Sequence, residues 1–181
     1  GRSGEGRVAA AFFGDGAASE GDFHAAMNFA ATLRSRTLFL CRNNGFAIST
    51  PVSQQYRGDG IAARGRAYGI PALRVDGGDI FAIMHAVGAA RARSLSHSTP
   101  VVVEFMTFRG GHHSTSDDAS RYRSPALAAA AARASDPVAR LRGYCVGRGW
   151  WTGAEEEAFC EGERGRVLEA LEAAERVGRA R

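Results

Sequence analysis

Arg7–Phe13, RVAAAFF, runs into Gly14-Asp15-Gly16 and then into a helical pattern from Ser19, and this stretch decides the fold. A short apolar run closed by glycine reads as a buried strand of a parallel sheet. Beyond it, Phe23, Ala26, Met27 and Ala30 fall on one helical face, and Ser19 with Asp22 reads as a capping-box start. Strand, glycine turn and helix make one βα unit.

Working outward, Thr37–Cys41 (TLFLC) is a second buried strand, closed by the polar Arg42-Asn43-Asn44-Gly45. A helix is expected over residues 61–68 and a strand over 72–75. Asp76-Gly77-Gly78-Asp79 then breaks the chain before a helix over 80–93 whose inner stripe is Ile80, Ile83, Met84 and Val87. Pro100 opens a Val- and Phe-rich strand over 101–108. Strands alternating with helices predict an α/β fold, a parallel sheet flanked by helices, with its chemistry at the carboxyl ends of the strands. Residues 109–125, RGGHHSTSDDASRYRSP, have no apolar period and read as a long loop. A helical region is expected over 126–181, with helices at about 136–148 and 152–177. At 181 residues the chain is expected to form a single domain.

Composition narrows the function classes. The 23 basic residues are all arginine, and a formal charge of +4 spread along the chain gives no clustered basic face, so no nucleic-acid partner is expected. No apolar run approaches the roughly 20 residues needed to cross a bilayer, so no membrane role is expected either. Cys41, Cys145 and Cys160 are odd in number and irregularly spaced, which disfavours a disulfide framework and a Cys-x-x-Cys metal pair and fits a reducing compartment. The start at Gly1-Arg2-Ser3-Gly4, a few residues before a buried-type strand, suggests a truncated N-terminus.

Two rim turns carry the chemistry. Gly14-Asp15-Gly16 closes one strand and Asn43-Asn44 closes the next, with 26 residues between Gly16 and Asn43. Each alone is an ordinary turn dipeptide. In a parallel sheet they lie side by side, so a carboxylate and an amide oxygen can share a small hard cation that takes its remaining ligands from a backbone carbonyl and a diphosphate. The helix start near Ser19 would add free N–H groups and a positive dipole end for the same anion. A dinucleotide-binding turn fits less well, because Ser19 stands where a third glycine or alanine belongs and Asp15 sits inside the phosphate turn.

The paired motif resembles the GDG-x(~26)-NN signature of thiamin-diphosphate (ThDP) enzymes. GDGAASEGDFHAAMNFAATL, CRNNGFAISTPVSQQYRGDGIAARGRAYGI, RGGHHSTSDDASRYRSP and the later Gly149-Trp150-Trp151 together resemble the E1 α subunit of branched-chain 2-oxo acid dehydrogenases, from about Val8 to Val177. The histidine loop is closer to that form than to the shorter loop of the pyruvate enzyme. The resemblance implies a ThDP-binding fold. It also implies Mg²⁺ held by Asp15, Asn44 and the carbonyl of Phe46, and a diphosphate contacted by Gly16, Ala17, Arg42 and His113. His113 would also assist acyl transfer to a lipoyl arm, whereas His112 is a structural neighbour. Animal forms often carry glutamate at the position of Asp15 and tyrosine at that of Phe46, and position 46 is expected to contribute only its backbone to the metal. Ser114 and Ser124 match the family's phosphorylation sites.

Further implications of the resemblance are oxidative decarboxylation of a branched 2-oxo acid in an α2β2 assembly, a β subunit supplying the cofactor-activating glutamate, a lipoyl-bearing E2 acyltransferase, a regulatory kinase and phosphatase, and the mitochondrial matrix. The family's upstream segment, which grips the diphosphate and carries a potassium site, is not in this sequence, so weak ThDP binding by this polypeptide alone is expected. A pyruvate- or acetoin-type α subunit and a catalytically silent fragment acting only in subunit association are the alternatives.

Overall fold

A computed structural model describes residues 6–177; the start at Gly1-Arg2-Ser3-Gly4 and the last four residues of the expected helical region lie outside the described residues. The chain divides into two compact units, residues 1–137 and 138–181.

The first unit is built on four parallel strands in the order β1-β2-β6-β5, with β1 Ala9–Gly14, β2 Thr37–Asn43, β5 Ala72–Asp76 and β6 Val101–Met106. The two central strands are covered on both faces, which is why TLFLC and VVV show no polar alternation. Their side chains still alternate between two cores. Phe39, Cys41 and Val102 join Phe23, Met27, Ala30, Ile61 and Ile70 on one side. Leu38, Leu40, Val101 and Val103 meet Ala86 and Ala90 on the other. Helix α1, Gly21–Thr32, supplies the first layer and α3, Ile80–His97, the second. Met27 is fully buried, so truncating it to alanine costs about 2–5 kcal/mol.

All four strands of this sheet are parallel, so the ends Gly14, Asn43, Asp76 and Met106 come to one rim. At that rim a two-residue hairpin pairs β3 Phe46–Ala47 with β4 Thr50–Pro51, followed by the single-turn α2, Val52–Gln55. A 3₁₀ stretch over Ala62–Tyr68 occupies the place of the helix expected at 61–68.

Helix starts depart from the sequence reading in two places. Ser19 and Asp22 do not form a capping box: Ser19 ends a 3₁₀ turn, Ala17–Ser19, and α1 begins at Gly21 with Glu20 at its cap and no side-chain cap bond. Helix α3 starts where expected, because Asp79 accepts from the N–H groups of Phe81 and Ala82. The alanine-rich run forms its own helix, α4 Pro125–Ser135, ahead of the one expected near 136, with proline in the first turn and Ser124 capping through the N–H of Leu127.

In the second unit, α5 Pro137–Gly147 is followed by α6 Gly153–Val177. The reciprocal capping box occurs here: Glu155 accepts from Thr152 N at 2.8 Å, and Thr152 Oγ1 accepts from Glu155 N at 3.3 Å. Tyr144 meets Trp150 edge-on at 5.9 Å, Trp151 meets Phe159 at 6.1 Å, and Arg142 pairs with Glu156. Among the described residues no helix is long and apolar enough to cross a membrane.

Candidate functional site

Gly14 stands opposite Arg42 in the β1–β2 register, so Asp15 and Asn44 leave the sheet at nearly the same level. They meet there. Asp15 is 1% exposed; its Oδ1 accepts from Asn44 N at 3.2 Å and its Oδ2 from Gln55 Nε2 at 2.9 Å. Both donors are neutral groups. Asn44 Oδ1 accepts from Phe46 N at 3.2 Å and Asn43 Oδ1 from Gly45 N at 2.9 Å, two side-chain turns that wind the chain tightly through Gly45 at φ +83°. Gly16 is required for space, because a Cβ there would lie 2.7 Å from the Cβ of Ala47.

Among the described residues no group of three or more His, Cys, Asp and Glu stands where it could hold a metal. A cation at this rim would have to draw on one carboxylate, one amide oxygen, a backbone carbonyl and an incoming ligand. That all-oxygen set suits Mg²⁺, which binds few protein groups and completes its shell with phosphate and water. Helix α1 carries Glu20 at its cap, with no side-chain cap bond, and Asp22 in its first turn, two acidic groups at its positive end. The Ala17–Ser19 turn is held by Arg64, which donates to Ala18 O and lies 4.8 Å from the Tyr56 ring centre and 5.8 Å from that of Phe23.

Below the rim sits a wholly buried Glu104 on β6. Its carboxylate accepts from Asn43 Nδ2 at 2.7 Å, Ile61 N at 2.9 Å, Ala62 N at 2.9 Å and Arg74 Nε at 3.1 Å. Burial pushes the carboxyl upward, but the bonds from Ala62, Ile61, Asn43 and Arg74 outweigh it and hold Glu104 below the usual glutamate range. Cys41, also buried, is pushed up to about 12 by burial first and then by the charges of Glu104 and Asp15, against the opposing pull of Arg64. Its thiol is therefore inert near neutral pH.

Residues 109–125 form an irregular segment wired to the hairpin. Arg109 donates to Ile48 O and to Tyr122 Oη, each at 2.7 Å. Ile48 has φ +55°, an unusual conformation for a β-branched residue. Tyr122 donates to Asp117 Oδ2 at 2.6 Å, and the same oxygen accepts from His113 N at 2.8 Å. Arg123 is buried and donates to the carbonyls of Arg109 and Gly111. The Phe46 ring lies 5.9 Å from that of Tyr122 and 5.9 Å from the Arg123 guanidinium. The ring at position 46 thus packs against the loop.

The sequence-derived residues fall into two groups. Asp15, Gly16, Asn44 and Phe46 come together at the rim, with Ala17 in the adjoining turn. Arg42 is exposed at the end of β2, and His113 and Ser114 are exposed on the loop, Ser114 within 3.2 Å of Ser116. His112 has a structural part, its Nδ1 accepting from Ala119 N at 2.9 Å. Ser124 caps α4.

Residues 2–180 match the family model described as dehydrogenase E1 component. The chain belongs to that family. It is 53% identical over 175 residues to the human mitochondrial 2-oxoisovalerate dehydrogenase subunit alpha, covering 97% of this chain and 39% of the human one. The Dictyostelium discoideum subunit of the same name is 50% identical over 96% of this chain and 40% of its own length. The Arabidopsis thaliana subunit alpha 2 is 47% identical over 93% and 36%. This E1 component chain therefore spans about two fifths of the length of these relatives.

Sequence reasoning placed Asn43 in the rim turn without a role of its own and passed over Gln55, Arg74, Glu104, Asp117, Tyr122 and Arg123. Glu104 carried a legible signal, a lone charge in the apolar strand VVVEFM, which must be paired if it is to be buried. Gln55 and Tyr122 gave none, because their partners come from distant segments.

Proposed function

We propose that this E1 component chain serves in the α subunit of a branched-chain 2-oxo acid dehydrogenase, catalysing ThDP- and Mg²⁺-dependent oxidative decarboxylation with acyl transfer to lipoamide. The observation that carries the reading is the Asp15–Asn44 contact across β1 and β2: a buried carboxylate beside an amide turn at the rim of a parallel sheet. Bound ThDP would supply the electron sink for decarboxylation, as cofactors do where the protein provides position and electrostatics.

In this reading Asp15, Asn44 Oδ1 and the Phe46 carbonyl hold Mg²⁺. Gly16 and Ala17 bring the backbone close to the diphosphate, Arg42 brings positive charge, and His113 brings an N–H donor. His113 would also position the acyl group for the lipoyl arm. The β subunit of an α2β2 assembly, a lipoyl-bearing E2 and a regulatory kinase and phosphatase are the partners this implies. The mitochondrial names of the relatives support the matrix as the compartment. Ser114 is the proposed control point: a phosphate there adds about −1.5 to −2 charges beside an anionic cofactor and disorders the loop.

The test is turnover by the assembled enzyme with 2-oxoisovalerate and with pyruvate. The branched acid should be preferred, and Asp15→Asn should abolish Mg²⁺-dependent ThDP binding. Preference for pyruvate would instead make this a pyruvate- or acetoin-type subunit. Unchanged binding in D15N would remove the metal assignment.

A further inference from the structure

The buried Glu104 cluster has more bonds than packing alone requires. Its four donors come from three separate places: the end of β2 through Asn43, the start of the 3₁₀ stretch through Ile61 and Ala62, and β5 through Arg74. The loop is moulded to the carboxylate. Gly60 has φ +73°, and a Cβ there would lie 2.5 Å from Arg74 Nη2 and 2.8 Å from Glu104 Oε1. Arg74 runs on to Asp59, binding its carboxylate at 2.9 Å and also its carbonyl.

Only one of the three routes leads to the rim. Asn43 is 2% exposed, and both its N–H donors are used: Nδ2 donates to Glu104 Oε1 at 2.7 Å and to Tyr56 Oη at 3.2 Å, while Oδ1 accepts from Gly45 N at 2.9 Å. An amide that donates downward to a carboxylate must present its oxygen upward, and here that oxygen fixes the N–H of the residue after Asn44. The next two links are Asn44 N to Asp15 and Phe46 N to Asn44 Oδ1. We propose that Glu104 is a positioning residue for the cation turn, setting the orientation of Asn44 and Phe46 through the side chain of Asn43. The proposal rests on the Mg²⁺–ThDP reading above and adds to it a residue that touches neither group.

The geometry separates this role from a merely structural one. Arg74 bonds the other carboxylate oxygen, Oε2, from the β5 side and has no part in the Asn43 link. Glu104→Gln puts an NH₂ group where donors converge, so the link to Asn43 or the loop bonds must break. Asn43→Ala deletes the link and leaves the carboxylate three donors.

The experiment is calorimetric titration of ThDP into the full-length subunit, assembled with its β partner, over a series of Mg²⁺ concentrations, with thermal melts alongside. E104Q and N43A should each raise the Mg²⁺ concentration for half-maximal ThDP binding by about tenfold or more, the usual effect of removing support from a metal ligand. The double variant should add nothing further. R74Q should lower the Tm while leaving that Mg²⁺ midpoint unchanged. If E104Q does not fold, N43A against R74Q makes the same comparison.

Mg²⁺ midpoints for E104Q and N43A within about twofold of wild type, with D15N raising its own strongly, would overturn the positioning role and leave the site reading intact. An equal shift in R74Q would make Glu104 a general stabiliser and overturn it too. An unchanged midpoint in D15N would overturn the site reading, and this proposal with it.

Discussion

The rim turns and the 109–125 loop are both stitched by hydrogen bonds, yet they rest on different foundations. At the rim the polar groups are withdrawn from water: Asp15 is 1% exposed, Asn43 2% and Glu104 0%. In the loop, Asp117 and Tyr122 are half-buried and His113, Ser114 and Ser116 are exposed. A buried polar group that loses its partner costs the full desolvation of that group, whereas an exposed one regains water. The rim therefore behaves as a fixed part that opens only with the sheet. Apart from its buried anchor Arg123, the loop can order or disorder at lower cost, which suits a segment bearing the proposed control site Ser114.

The largest effect that would test this contrast comes from Glu104→Ala. It leaves the buried N–H groups of Ile61 and Ala62 without their acceptor and takes one partner each from Asn43 and Arg74, so a loss of about 3–5 kcal/mol is expected, read by urea denaturation. A loss under about 1 kcal/mol would mean that water reaches the cluster and that the rim is no better insulated than the loop.

Next in size is the difference between the two loop serines. Ser114→Glu places charge on the exposed loop beside the proposed diphosphate and should abolish turnover by the assembled enzyme at saturating ThDP; full activity would sink that expectation. Ser124→Asp should be well tolerated, because aspartate caps a helix as well as serine and its charge suits the N-terminus of α4. Ser124→Ala should cost α4 about 1 kcal/mol, visible as faster amide exchange over 125–129. Inactivation by both charged variants would show that loop and helix respond as one.

The same division governed what the sequence revealed. The strands β2 and β6 were legible because continuous burial leaves an unbroken apolar run, and the Asp15–Asn44 contact followed from parallel register alone. The start of α1 was misplaced because Ser19 and Asp22 satisfy a local spacing that the 3₁₀ turn overrides, Arg64 fixing Ala18 O from 46 residues away. The loop wiring was illegible for the same reason: Arg109, Asp117, Tyr122 and Arg123 have no periodic pattern, and their bonds depend on how the hairpin presents Ile48 and Phe46. Residues set by burial can be read from sequence, while those set by a partner elsewhere in the chain cannot.

The smallest effects compare the regions most directly. Asp117 lies below its ordinary range because His113 N and then Tyr122 Oη donate to it. A depressed carboxyl contributes order above its unfolded pKa and loses it as pH falls through the folded value, so loop protection should hold from neutrality to about pH 4 and fail below. Tryptic cleavage at the exposed Arg121 reports on the loop near neutrality, and Tyr122→Phe, which removes the donor to Asp117 and the acceptor for Arg109, should speed it severalfold. Cys41 reports on the rim: fully buried, with its thiol pushed up to about 12, it should be alkylated at pH 8 only when the sheet opens. Its labelling rate, followed on its own peptide by mass spectrometry, should not change in Y122F. If cleavage and labelling accelerate together, loosening the loop opens the sheet, and the two regions share one cooperative unit despite their different exposure.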